Sequence, residues 1–193
     1  VDGWVRRWSL GLGLQDDGYA AEPGLAAPAQ LPQDEKLVAP FVRYELVEDR
    51  FEKLVNRNLI GRPEFFALGL AATLQLGRAA TGLGSSRDAW LYTGTVSRGF
   101  EPAPGQVLTV SASATGHEEG GRAHRQRLGL QSRYYLPQGS RWLFYAAATG
   151  DLLRNPNPAE ALPLGGDNGL RGYPLRYQNG TRRALFTLEE RFH

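Results

Sequence analysis

An all-β, antiparallel fold is predicted by three observations. Apolar side chains recur with period two along most of the chain. Apolar spacing of three and four never persists, and glycine interrupts nearly every helical candidate. Turn-forming clusters rich in glycine and proline separate the alternating runs at short intervals.

Eight strands follow. The first, about 3–14, sets Trp4, Trp8, Leu10, Leu12 and Leu14 against Ser9, Gly11 and Gly13. The second covers about 38–57 as one long strand. A turn at Glu48-Asp49 would split it and throw the two longest loops onto opposite rims, so the unbroken strand is preferred. The third, 64–77, alternates Phe66, Leu68, Leu70, Ala72, Leu74 and Leu76 with Ala67, Gly69, Ala71, Thr73, Gln75 and Gly77. A fourth covers 88–99. The fifth, 105–115, sets Leu108, Val110, Ala112 and Ala114 opposite Thr109, Ser111 and Ser113. In the sixth, 122–136, Leu128 and Leu130 oppose Arg125, Arg127, Gln131 and Arg133. The seventh is 140–152. The eighth, 180–192, sets Ala184, Phe186, Leu188 and Phe192 against Arg183, Thr187, Glu189 and Arg191.

The connections alternate in character. Long or glycine- and proline-rich ones are expected at 15–37, 78–87, 116–121 and 153–179, and short ones at 58–63, 100–104 and 137–139. Long loops on one rim and tight turns on the other mark an outer-membrane barrel. One strand face is rich in leucine and aromatics, and the other in arginine, glutamine, serine, threonine and glycine. Alternation leaves two arrangements open: a soluble β fold buries the apolar face, and a membrane barrel turns it to lipid. Strand length, rim asymmetry and the aromatics near strand ends (Trp4, Trp8, Trp90, Tyr92, Tyr134, Tyr135, Trp142) favour the membrane.

Composition narrows the classes. The 193 residues contain no Cys and no Met, which excludes a disulfide scaffold and a thiolate metal site. The chain begins Val1-Asp2-Gly3-Trp4, read here as a piece of a longer protein whose export signal lies upstream. No apolar run approaches the roughly 20 residues of a membrane-spanning helix, a criterion to which barrel strands are invisible. The net charge is +2, and of the basic residues only Lys36 and Lys53 are lysine. They form no block, so a nucleic-acid partner is not expected.

The stretch from Leu164 to Tyr173, Leu-Gly-Gly-Asp-Asn-Gly-Leu-Arg-Gly-Tyr, is a glycine-rich loop carrying one arginine. Glycine permits positive φ and close backbone approach, so such a loop can fold back against a surface. An arginine stays charged in a confined place and presents a planar fork of donors. An ordinary hairpin loop with a stray arginine fits the same ten residues.

That stretch, the following Pro174-Leu-Arg-Tyr-Gln178, and the strand Thr181–Phe192 together resemble the bacterial surface antigen family. This is the barrel superfamily of BamA-like outer-membrane assembly factors and two-partner secretion transporters. Phe51–Arg62 is similar to a less specific stretch in such barrels. The resemblance implies a sixteen-stranded transmembrane β-barrel, of which residues 1–193 form one partial domain of about eight strands, five to twelve. The loop at about 153–179 would be the sixth extracellular loop, folded into the lumen. Arg171-Gly172-Tyr173 would be its pinning motif and Arg171 the pin. Gly165, Gly166, Asp167 and Gly169 would form the hinge, with Asp167 capping the turn through nearby backbone. Glu189, sharing the lumen face with Arg191 and Thr187, is the candidate partner, or else a plain solvated charge.

Catalytic chemistry finds little support in the sequence. His117, His124 and His193 have no carboxylate or nucleophile at triad or metal spacing. There is no G-x-S-x-G elbow, and Gly82-Leu-Gly-Ser-Ser86 lacks the lysine of a phosphate loop. No catalytic residue, metal or cofactor is expected. The resemblance implies an integral protein of a Gram-negative outer membrane that inserts or translocates polypeptides. Its partners would be the bilayer and lipopolysaccharide, polypeptide substrates, and periplasmic or lipoprotein components. Two alternatives remain: a barrel anchor or pore for a fused passenger enzyme, and a soluble β-barrel binding an apolar ligand. In the full-length protein, Arg171→Ala is expected to leave strand content intact and to speed protease cleavage near residues 165–175. Unchanged cleavage with normal activity would remove the pinning role.

Overall fold

The computed structural model describes residues 3–24, 31–170 and 172–192. In chain order the strands are β1 (Trp4–Asp17), β2 (Glu35–Glu48), β3 (Phe51–Val55), β4 (Pro63–Ala67), β5 (Ala71–Ala79) and β6 (Ala89–Phe100). They continue as β7 (Val107–Glu119), β8 (Arg122–Pro137), β9 (Trp142–Arg154), β10 (Leu162–Leu164), β11 (Gln178–Gly180) and β12 (Arg182–Phe192). Eight of them form one antiparallel sheet in the order β1-β2-β5-β6-β7-β8-β9-β12. The sheet is open, with β1 and β12 as its edges. β3 pairs with β4 and β10 with β11 in separate two-stranded ladders. The expected all-β architecture is therefore present as an eight-stranded antiparallel meander.

The expected unbroken strand at 38–57 is interrupted. β2 ends at Glu48 and β3 begins at Phe51, and the third expected strand breaks likewise between β4 and β5. The chain does not reverse at this break. Val47 pairs with Ala71, and Phe51 pairs with Ala67, so one register runs through both ladders of a single long hairpin. At the break the Leu68 and Gly69 N–H groups both donate to the Arg50 carbonyl, at 2.8 and 3.0 Å. The Leu70 N–H donates to the Glu48 side chain at 2.9 Å. A Cβ on Gly69 would lie 2.8 Å from the Glu48 Cβ and would strike the Glu48 carbonyl, so the bend requires glycine.

The rims also differ from expectation. The connection at 116–121 shrinks to the two-residue turn Gly120-Gly121, with φ of 55° and 79°. Two positive φ values suit the tight hairpin turn that matches strand twist. Near it a bulge falls between Thr115 and His117, and Arg125 takes a φ of 47°. The rim holding 18–24, 31–34, 80–88, 120–121, 155–170 and 172–177 is termed the loop rim. The opposite rim carries the tip 56–62 and the turns 101–106 and 138–141.

Period-two geometry divides the side chains between two faces. The face carrying Arg43, Gln75, Thr95, Ser113, Gln131, Thr149 and Thr187 is termed inner, because the hairpin β3–β4 and the loops fold onto it. Both buried clusters lie there. One joins Leu37, Ala39, Ala79 and Ala89 near the loop rim. The other joins Leu68, Val107, Tyr135 and Leu143, with Leu54, Phe66 and Tyr145 packed against it. The leucine-rich outer face is bare: Leu10 is 83% exposed and Trp8 70% on one edge strand, and Phe186 77% and Leu188 73% on the other. Leu74, Val96 and Leu130 extend this exposed apolar surface across the intervening strands.

The β3–β4 hairpin reaches the inner face by crossing β6 at Gly99. A Cβ there would sit 2.8 Å from the Leu68 Cα and would strike the Ala67 carbonyl. Gly99→Ala is therefore expected to cost about 1–3 kcal/mol of stability through overpacking. Limited proteolysis at residues 56–62 and thermal unfolding followed by circular dichroism would measure it. Gly82→Ala, whose added methyl meets nothing within 4 Å, is the matched control.

Candidate functional site

The loop between β9 and β12 folds back onto the inner face. Leu162 pairs with Gly180 and Leu164 with Gln178, so a short ladder closes the base of the loop. Above it, Gly165, Gly166, Gly169 and Gly172 all have positive φ, and residues 166–168 form one 3-10 turn. These glycines adopt positive-φ conformations that their residue type permits. Gly165 packs so closely that a Cβ would lie 2.8 Å from the Tyr177 nitrogen. Gly169 rests on Leu185, an inner-face residue of β12, whose Cδ1 would be 3.3 Å from an added Cβ.

A half-buried arginine holds the base of this loop. Arg183 projects from the inner face of β12 and donates through Nη1 to the Pro163 carbonyl at 3.1 Å. Its Nε and Nη2 donate to one Asp151 carboxylate oxygen at 3.0 and 2.6 Å. Asp151 faces Arg183 across the β9–β12 ladder, so neighbouring inner positions supply both partners. The Asp151 carboxylate also takes a 3.3 Å contact from Arg127 on β8. Charged donors to a part-buried carboxylate make the stronger class of hydrogen bond.

The residues singled out from the sequence are distributed as follows. Arg171 lies outside the described residues, as does His193. Tyr173 is half exposed and stacks near Tyr177, ring centroids 5.2 Å apart. Asp167 sits in the 3-10 turn, where its carboxylate accepts from the Asn168 side-chain amide at 3.1 Å. Glu189 and Arg191 do share the inner face, but they pair with each other: the Arg191 Nε donates to Glu189 at 2.8 Å. Four strand positions separate Glu189 from Leu185, where Gly169 rests, which is about 13 Å along an extended chain. The Arg191 guanidinium also lies over the Tyr145 ring, 4.0 Å from its centroid. The loop and the Glu189–Arg191 pair therefore occupy different levels of the inner face.

A second charged centre sits nearer the loop rim. Glu35 is 4% exposed and receives Arg87 on one carboxylate oxygen. Arg125 donates to the other oxygen at 2.6 Å. Arg125 reaches Glu160 through Nε at 2.5 Å, and Arg87 reaches Glu119 at 2.9 Å. His117 Nδ1 lies 3.8 Å from Glu35. This network joins the first residue of β2 to segments 80–88 and 155–161 and to the ends of β7 and β8. A buried carboxylate between two arginines satisfies the rule that buried charge must be paired. Ser85 and Ser86 reinforce the rim: the Val38 N–H donates to the Ser85 hydroxyl at 2.8 Å, and the Ser86 N–H donates to the Lys36 carbonyl at 2.7 Å.

Over the middle of β6, β7, β8 and β9 lies a concavity of about 430 Å³, lined in part by Thr95, Ser97, Ser111, Ser113, Gln131 and Thr149. Its lining is mixed: hydroxyls and the Gln131 amide alternate with Val96, Ala112 and Leu130, and Asp151 and Arg183 also line it. Among the described residues no group of three His, Cys, Asp or Glu side chains is placed to hold a metal ion.

Sequence reasoning named the arginine-rich inner face, including Arg125, Arg127 and Arg133, but missed the residues that organise it. Glu35, Asp151 and Arg183 escaped notice as a set because their partners are remote in sequence. Parity offered a signal for two of them: in a meander, acidic and basic residues of inner parity on adjacent strands invite a search for cross-strand pairs.

Arg183→Ala is expected to free the Pro163 carbonyl, to leave Asp151 without its main partner, and to destabilise the docked loop by about 2–3 kcal/mol. Gly169→Ala is expected to undock the loop by collision with Leu185. Both variants should cleave faster near 165–175 while strand content, read by circular dichroism, stays unchanged. Comparisons with protein-family models, curated proteins and solved structures find no match to this chain.

Proposed function

We propose that this chain is a wall segment of an outer-membrane β-barrel, resembling the bacterial surface antigen family, that inserts or translocates other polypeptides. The observation that carries the reading is the reversed dress of the sheet. Its covered face is largely polar between two apolar clusters, and its bare face presents exposed large apolar side chains on β1, β2, β5, β6, β8, β9 and β12. Monomeric water-soluble proteins rarely leave contiguous apolar patches larger than a few hundred Å² exposed. A bilayer accepts such a face, and strands of 11 to 16 residues exceed the span a tilted barrel strand needs for most of the wall. Trp8 packs against Tyr44 and Trp142 against Phe192, and the Trp and Tyr rings are amphipathic ones of the kind that populate membrane interfaces.

The fold-back of the 153–179 loop supports the family likeness, because a loop that turns inward and touches the wall is what the glycine-rich motif implied. The two open edges, β1 and β12, have unpaired backbone groups that further strands of a larger barrel would satisfy. Function in this reading is mechanical: the barrel guides or releases a polypeptide while the docked loop holds one state. Among the described residues, the charged groups around Glu35, Asp151 and Glu189 are engaged with one another, as structural supports are.

Bare leucines on both edge strands favour this reading over a soluble barrel that shields its apolar face. A passenger-anchor role would use the same wall, and the domain attached to it decides between the two. The test is to partition the full-length protein between detergent-extracted outer membrane and soluble fractions, with gel migration compared before and after heating. Membrane partition with a heat-dependent shift is expected; a soluble protein without a shift would sink the proposal.

A further inference from the structure

The hairpin β3–β4 leaves the sheet between β2 and β5 and crosses the inner face toward the far edge. It passes over Gly99 of β6 and places Leu68, Leu54 and Phe66 against Val107, Tyr135, Leu143 and Tyr145, residues of β7, β8 and β9. Its tip then makes polar contacts with three separate elements. Arg57, 8% exposed, donates through Nη2 to the Gly105 carbonyl at 2.8 Å. The Tyr135 hydroxyl donates to Asn58 Oδ1 at 3.2 Å. Arg191 of β12 donates to the Arg57 carbonyl at 2.7 Å. One hairpin rooted at the second strand thus reaches the last.

The tip is a built object and not a slack turn. The Glu64 carboxylate accepts the N–H groups of Arg57, Asn58 and Leu59 at 3.1, 2.8 and 3.1 Å, and the Asn58 side chain at 2.9 Å. Burial works against this charge, but the converging donors hold the carboxyl below its usual range. The Gly61 N–H donates to the Asn56 side chain at 2.6 Å. The contacts that fasten the tip to the wall are mainly hydrogen bonds, whereas the root is fixed by close packing at Gly69 and Gly99.

We propose that the β3–β4 hairpin is a plug that closes the tight-turn end of the barrel interior, latched at its tip by Arg57, Asn58, Tyr135 and Arg191. The proposal rests on the barrel reading above. A ribbon spanning the inner face from β2 to β12 lies across the route from the concavity to that rim. Its polar latch and packed root give it one end that can release and one that cannot.

The test uses the full-length protein in lipid nanodiscs, first checked for heat-modifiable migration, with a reporter cysteine at Ser111→Cys. Ser111 lines the concavity beyond the hairpin. The readout is the rate of modification by a bulky, water-soluble maleimide. Arg57→Ala should raise that rate on the order of tenfold or more, the factor set by loss of charged-donor hydrogen bonds. Replacing residues 51–67 by a short turn should raise it at least as far, and serves if the point variant distorts the tip. Gly82→Ala, on the loop rim and with nothing within 4 Å of the added methyl, should leave the rate unchanged. Equal rates in the parent, Arg57→Ala and hairpin-replaced forms, all heat-modifiable, would overturn the plug while leaving the barrel reading intact. Absence of heat-modifiable migration would overturn the barrel reading and the plug together.

Discussion

Every feature of this molecule depends on one constraint: in an antiparallel meander, residue parity commits each side chain to a face. Seven ladders join the eight strands, and register carries that commitment from β1 to β12. Slippage by one residue at any ladder would exchange the faces beyond it. The single irregularity in the main sheet, between Thr115 and His117, falls beside a rim, where it re-aims Arg125 toward Glu35 and leaves the central ladders aligned. Parity is therefore kept where the faces matter and relaxed where a charge must be redirected.

Given two committed faces, the molecule fills the polar one from its own chain. Three structures converge there: the rim network around Glu35, the loop that rests on Leu185, and the hairpin that reaches Arg191. The loop and the hairpin are each fixed by a glycine that admits a close approach and by an arginine that supplies the bond, whereas the rim network is held by its charges alone. Gly169 and Arg183 serve the loop, and Gly99 and Arg57 serve the hairpin. The division follows from physics. Glycine removes the steric bar without directing anything, and arginine, with five donors in a rigid fork, sets position. The balance of 22 basic and 20 acidic residues, almost all the basic ones arginine, makes sense as material for such internal fastenings.

Much of the wall was legible in the sequence, because strand alternation is local. The strands at 122–136 and 180–192 declared both their extent and their faces through Leu128, Leu130, Phe186 and Leu188. The break at Asp49-Arg50 was not legible, since its cause is Gly69 from the opposite strand. The turn at Gly120-Gly121 was masked because Gly116 and His117 look like loop residues, yet they are held in a strand by pairing with β6. In the candidate site, the positive φ of Gly165, Gly166 and Gly169 was readable from residue type. The Asp151–Arg183 pair was not, because a pair 32 residues apart becomes visible only when the register is known. The hairpin's reach to Arg191 spans 134 residues and has no local trace.

The common register of the two ladders on either side of the break has a consequence for how this chain can vary. Val47 with Ala71 and Phe51 with Ala67 stay in step because three residues stand between the paired positions on each side. An insertion of one residue on one side alone would rotate the hairpin's packing face away from Tyr135 and Tyr145. Length changes here must therefore come in matched pairs, one before Phe51 and one after Ala67. Among relatives of this chain, gaps in those two short segments are expected to co-occur, while the tip at 56–62 is constrained instead by the reach of the Glu64 carboxylate.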